Sequence, residues 1–120
     1  MSIKGEMAIV TALIRPNMEG SVVQALHDLS EFPGFFIVEA RGQGRGRGAG
    51  GAYIASEFDL TYHRYLQVQL VCRAAMAKEI CDTIADAAWT GRKGDGVVYT
   101  TDAHFFMRIR EKAQPEERPK

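Results

Sequence analysis

The chain has 120 residues, 46% hydrophobic and 25% charged, and its 15 Lys+Arg against 15 Asp+Glu leave a formal net charge of zero. That length is one domain, able to bury roughly two thirds of the surface its unfolded form exposes. The balanced charge argues against a strongly basic nucleic-acid module or an acidic tail protein, and no apolar run approaches the ~20 residues of a membrane span.

Residues 7–14 (MAIVTALI) are apolar and preceded by Lys4, but Arg15-Pro16-Asn17 follows in place of a small-residue cleavage site. The segment therefore reads as a buried strand over 8–14 rather than a signal core. Pro16 ends it and Asn17 is the candidate helix cap. Val22, Leu26 and Leu29, with Ala25 alongside, form one amphipathic stripe that stops before Pro33-Gly34, and residues 35–40 (FFIVEA) read as a second strand.

Residues 42–51 (GQGRGRGAGG) hold six glycines, two arginines and no large apolar group. With residues 52–62 they make an irregular stretch of about twenty residues, a length that inside a compact domain is either functional or disordered. Residues 65–72 then alternate, with Leu66, Val68, Leu70 and Cys72 on one face. Residues 74–89 place Met76, Ile80, Ile84 and Ala87 on a helical stripe. TGRKGDG (90–96) is a polar turn, 97–100 a fourth strand, and 104–110 a short extra extended segment with Met107 and Ile109 on one side. Residues 111–120, mostly charged and with two prolines, read as a mobile tail on a single domain of residues 1–110. Cys72 and Cys81 form no Cys-x-x-Cys pair and read as free thiols of a reducing cytoplasm.

Two βαβ halves with both helices on one face of an antiparallel sheet make a ferredoxin-like α+β domain. Several apolar residues point to the sheet's other face, so an oligomer that covers it is expected.

Three features seek anions. The glycine-rich loop offers main-chain N–H groups without side-chain obstruction, although it fits no Walker A pattern. Thr90–Gly96 sets three glycines among Arg92, Lys93 and Asp95. In an extended segment, Arg108 and Arg110 would project to one face, suited to a polyphosphate.

At these residues the chain resembles a known family. TGRKGDG, the strand after it and Arg108-Ile109-Arg110 look like the C-terminal signature of the PII signal-transduction proteins. ALIRPNMEGSVVQAL resembles that family's first strand and helix, and VEARGQGRG the start of its long mobile T-loop, here residues 42–62. The resemblance spans residues 8–110 and implies a homotrimer that binds ATP or ADP between subunits, AMP being a further candidate. It also implies regulation of a transporter or enzyme through the T-loop, and no catalysis. Carried over by position, Gly44 and Arg45 lie at the T-loop base, Thr90, Gly91, Gly94, Asp95 and Gly96 form the nucleotide loop, and Arg108 and Arg110 reach the phosphates from a neighbouring subunit.

The departures from the family pattern are specific. Val97 stands where the family has a lysine after GDG, removing one phosphate contact. Gly46 and Tyr65 replace the glutamine and lysine that serve magnesium and 2-oxoglutarate, so binding of that effector is expected to be weak or absent. Phe58 replaces a modifiable tyrosine. Two other readings compete: an RNA-binding module using the Gly-Arg run, which the zero net charge disfavours, and a metal-responsive trimer using Asp59, Tyr62, His63 and His104, which lack metal-site spacing. No Ser-His-Asp or Cys-His arrangement of an enzyme is legible.

Overall fold

A computed structural model of the chain describes residues 6–43 and 63–112. Strand β1 (Met7–Ile14) leads through a 3-10 turn (Pro16–Met18) into helix α1 (Glu19–His27) and strand β2 (Phe36–Gly42). Strand β3 (His63–Arg73), a second 3-10 turn (Ala74–Met76), helix α2 (Ala77–Ala88) and strand β4 (Gly96–Ala103) follow. The sheet order is β2-β3-β1-β4 and every pairing is antiparallel. This is the ferredoxin-like arrangement expected from the element order.

Period-two alternation fixes the register, because a one-residue slip would carry each apolar set to the opposite face. Val10 pairs with Leu70 and Ala12 with Val68, and all four are buried. Val22 and Leu26 of α1 and Ile80 and Ile84 of α2 close over them to form the core. Each such side chain, fully buried, contributes about 1.5–3 kcal/mol relative to exposure. Ser21 Oγ donates to the Ala87 carbonyl at 2.9 Å and links the two helices. The Arg73 guanidinium grips Glu31 with two hydrogen bonds of 2.6 and 3.2 Å, tying the end of β3 to the α1–β2 connection. That contact holds the Glu31 carboxyl below the usual carboxylate range.

The opposite face of the sheet carries Phe36, Val38, Val97 and Tyr99 exposed, the unpartnered apolar surface expected from the sequence. Cys72 is buried and Cys81 half-buried, both as free thiols. Burial pushes both thiols up from their ordinary value.

Three sequence expectations are corrected. Asn17 does not cap α1: it lies within the Pro16–Met18 turn, and Met18 occupies the cap position without a side-chain bond. Proline fixes φ near −65°, which starts that turn a step early. Helix α2 begins at Ala77, with the 3-10 turn before it. Residues 104–110 form no strand. Ala103 already pairs with Met7, the first residue of β1, and Glu6 before it is a bend, so the described ladder stops there. Ile109–Glu111 wind into a 3-10 turn instead, with Glu111 accepting from the Arg108 N–H. Arg108 and Arg110 therefore do not share the face of an extended strand, and Ile109, 91% exposed, has no apolar side to enforce alternation.

Candidate functional site

The turn between α2 and β4 is built around one carboxylate. Asp95 accepts hydrogen bonds from the Thr90 N–H at 2.7 Å, the Thr90 hydroxyl at 2.5 Å and the Gly91 N–H at 3.2 Å. From the end of β1, Arg15 Nε donates to Asp95 Oδ1 at 3.0 Å, and Arg15 Nη2 donates to the Lys93 carbonyl. Four donors favour the ionised form, and Thr90 leads in holding the Asp95 carboxyl down to about 2.

The glycines answer to this folding. Gly91 and Gly94 take φ of +83° and +87°, and Gly96 takes +114°. A Cβ at Gly96 would sit 1.8 Å from the Leu13 carbonyl oxygen, so only glycine lets β4 begin flush against β1. A Cβ at Gly94 would lie 3.4 Å from Arg15 Nη2 and 4.0 Å from the Tyr65 hydroxyl. The phenol thus reaches from β3 to the underside of the turn.

Beside this turn lies a cavity of about 550 Å³. Gly94, Asp95, Gly96 and Arg92 form one wall, and Arg41, Gly42 and Gln43 at the end of β2 form another. Leu13, Ala40, Tyr65 and Val97 pave its floor on the open side of the sheet.

Of the residues singled out in the sequence, Gly94, Asp95 and Gly96 line the cavity. Thr90 and Gly91 do not line it, and their N–H groups are directed at Asp95. Gly44 and Arg45 lie outside the described residues, as do Gly46, Phe58, Asp59 and Tyr62. Neither Arg108 nor Arg110 lines the cavity. Strand β4 leads away from it for eight residues, about 24 Å at 3.4 Å per step, before the chain reaches them. Arg108 instead lies 5.1 Å over the Phe106 ring, with Nη1 3.6 Å from Glu111. Among the described residues, no group of three or more His, Cys, Asp or Glu side chains is placed to hold a metal ion. Sequence reasoning missed Arg15 altogether, since its partner lies 80 positions away.

The family model described as nitrogen regulatory protein P-II matches residues 7–113. The chain belongs to the PII family. It is 31% identical over 104 residues to the nitrogen regulatory protein P-II of Rhodospirillum rubrum and 30% identical over 104 residues to that of Azospirillum brasilense. Each alignment covers 87% of this chain and 92% of the relative. Over a span of the same length it is 27% identical to the nitrogen regulatory protein GlnK of Escherichia coli strain K12. A crystal structure of Arabidopsis thaliana PII bound to citrate has the same fold, with a TM-score of 0.72 at 20% identity, covering 94% of this chain and 92% of that one. As a PII protein the chain is a signal-transduction regulator, not an enzyme, and no described helix is long and apolar enough to cross a membrane.

Proposed function

We propose that this PII regulator binds an adenine nucleotide (ATP, ADP or AMP) in the cavity beside the Thr90–Gly96 turn, at the interface of a cytoplasmic homotrimer. In this reading residues 1–110 are one domain, residues 42–62 are the T-loop that docks on a transporter or enzyme, and residues 111–120 form a mobile tail. Gly94, Asp95 and Gly96 present the turn to the nucleotide, while Thr90 and Gly91 hold Asp95 and so fix its shape. Gly44 and Arg45 close the cavity from the T-loop base. Arg108 and Arg110 of an adjoining protomer supply the phosphate-binding cations.

The observation that carries the reading is that the glycine turn and the two arginines lie beyond opposite ends of β4, so a site that uses both draws on two protomers. The glycine turn and the end of β2 face each other across the cavity, whereas the two arginines follow the far end of β4. The exposed Phe36, Val38, Val97 and Tyr99 give adjoining protomers an apolar surface to bury. With Tyr65 in the floor, no cation stands at that position, and in this reading 2-oxoglutarate binds weakly or not at all.

Calorimetry tests it. At least one adenine nucleotide should bind the purified protein, and Arg108→Ala should weaken that binding at least tenfold. Unchanged affinity in the variant, or a monomer by sedimentation that ignores all three nucleotides at millimolar concentration, would overturn it.

A further inference from the structure

The chain's single tryptophan takes no part in the core. Trp89 ends α2 in an extended conformation, φ −70° and ψ 129°, and is 70% exposed although Ala88 before it is buried. A Cβ on Gly91 would meet two indole ring carbons at 3.2 Å, so the ring rests against the turn's backbone and is otherwise open to solvent. Arg92 and Lys93 follow, both exposed, and among the described residues neither side chain is ion-paired. The turn's one carboxylate, Asp95, is matched by Arg15, and the next acid back along the chain is Asp86, a turn earlier in α2. The main-chain donors beside the ring are satisfied from within: the Thr90 and Gly91 N–H groups donate to Asp95, and the Arg92 N–H donates to the Thr90 hydroxyl at 3.2 Å. Backbone groups already paired can enter a poorly hydrated layer without losing hydrogen bonds.

We propose that the Trp89–Lys93 loop rests on an anionic lipid surface, with the indole in the headgroup layer and Arg92 and Lys93 on the lipid phosphates. An indole suits that boundary, because its apolar body and its N–H want different surroundings. Each Lys or Arg held close to an anionic leaflet adds attraction. The zero net charge of the chain does not oppose this, since charges more than a screening length of ~8 Å away are hardly felt at the loop. The make-up of the patch favours lipid over a protein partner. Protein hot spots sit at the centre of packed, desolvated surroundings, whereas between Trp89 and Asp95 the turn has no second large apolar side chain. One loop makes a weak contact. Threefold symmetry repeats it three times on one face, and in that respect the inference rests on the homotrimer read above. It does not rest on nucleotide binding, because Trp89 does not line the cavity. Arg92 does border the cavity, so Lys93 is the cation that tests the loop.

The test is co-sedimentation of the full chain with vesicles of phosphatidylglycerol and phosphatidylcholine in equal parts, and with phosphatidylcholine alone, while the emission of the single tryptophan is recorded. A soluble glutamate–tyrosine copolymer serves as the acidic polypeptide probe. The protein should bind the anionic vesicles and not the neutral ones, with Trp89 emission shifted to shorter wavelength. Binding should be strong at ~0.01 M salt, where the screening length is ~30 Å, and lost at ~1 M, where it is ~3 Å. Trp89→Ala and Lys93→Glu should each weaken it at least tenfold, whereas Lys112→Glu, the same charge reversal beyond the far end of β4, should change it less than twofold. Vesicle binding with unshifted emission, or binding that either loop variant leaves intact, overturns the proposal. So does no binding to the anionic vesicles at low salt by a protein that sediments as a trimer, and a shift with the copolymer alone would make an acidic protein the partner. Should the protein sediment as a monomer, the trimer reading fails, while an emission shift at high lipid still upholds the loop's contact and its absence overturns it.

Discussion

Replacing Gly96 by alanine imposes two penalties on one residue. The backbone φ of +114° lies where L side chains are strained, at a cost of about 1–3 kcal/mol. The new Cβ would also sit 1.8 Å from the Leu13 carbonyl oxygen, 1.6 Å short of the 3.4 Å at which ordinary contact begins. That oxygen belongs to the backbone of a central strand and cannot swing aside. The start of β4 must therefore retreat, loosening the Ile14–Gly96 and Leu13–Val97 pairs. Hydrogen bonds lost there cost about 0.5–1.5 kcal/mol each. Together the terms give about 2–6 kcal/mol, a large share of the ~5–15 kcal/mol that holds a domain folded. The melting temperature should fall by roughly 8–24 °C, at about 4 °C per kcal/mol for a chain of this size. Gly20→Ala is the matched control: the residue is in α1 with nothing within 4 Å of its virtual Cβ, so alanine there should stabilise by about 0.5–1 kcal/mol. Urea unfolding of both variants and wild type, at one fixed protein concentration because assembly shifts apparent stability, measures the difference. If Gly96→Ala lies within 1 kcal/mol of wild type, the account of the β1–β4 junction is wrong.

Other outcomes follow from the same geometry. The Asp95 carboxyl is held at about 2 against an ordinary 3.8, so its stabilisation is complete above about pH 4 and is lost as pH falls through about 2. Asp95→Asn should accordingly be less stable than wild type at pH 7, and the gap between their urea midpoints should have narrowed to a small remainder at pH 2. A gap that persists unchanged at pH 2 would show that Asp95 does not act through its charge. Ile84, 1% exposed between α2 and the sheet, should cost about 2–5 kcal/mol as alanine, read from the shift in urea midpoint. A loss under 1 kcal/mol would mean that the core collapses around the gap.

How much of this molecule can be read from the chain depends on how local the governing interaction is. Alternation through Leu66, Val68, Leu70 and Cys72 places β3 because each apolar residue answers to the same face. The Val22–Leu26 and Ile80–Ile84 spacings place the helices for the same reason. The glycine turn is also visible, because positive φ demands glycine wherever the turn occurs. Residues 104–110 look extended on the page, yet extended backbone becomes a strand only with a neighbour, and Ala103 already pairs with Met7, where β1 begins. Which amides of the turn are engaged is equally invisible, because Asp95 binds Thr90 and Gly91 only once the turn has closed.

Element order, the two buried stripes and the glycine turn were therefore determined by the sequence alone, since periodicity and backbone sterics act within a few residues. The Arg15–Asp95 pair, the carboxylate that fills the turn and the apolar floor of Leu13, Ala40, Tyr65 and Val97 were decided only by the tertiary structure. Each joins residues from different strands, and their electrostatics and desolvation depend on distances through space that strand pairing alone creates.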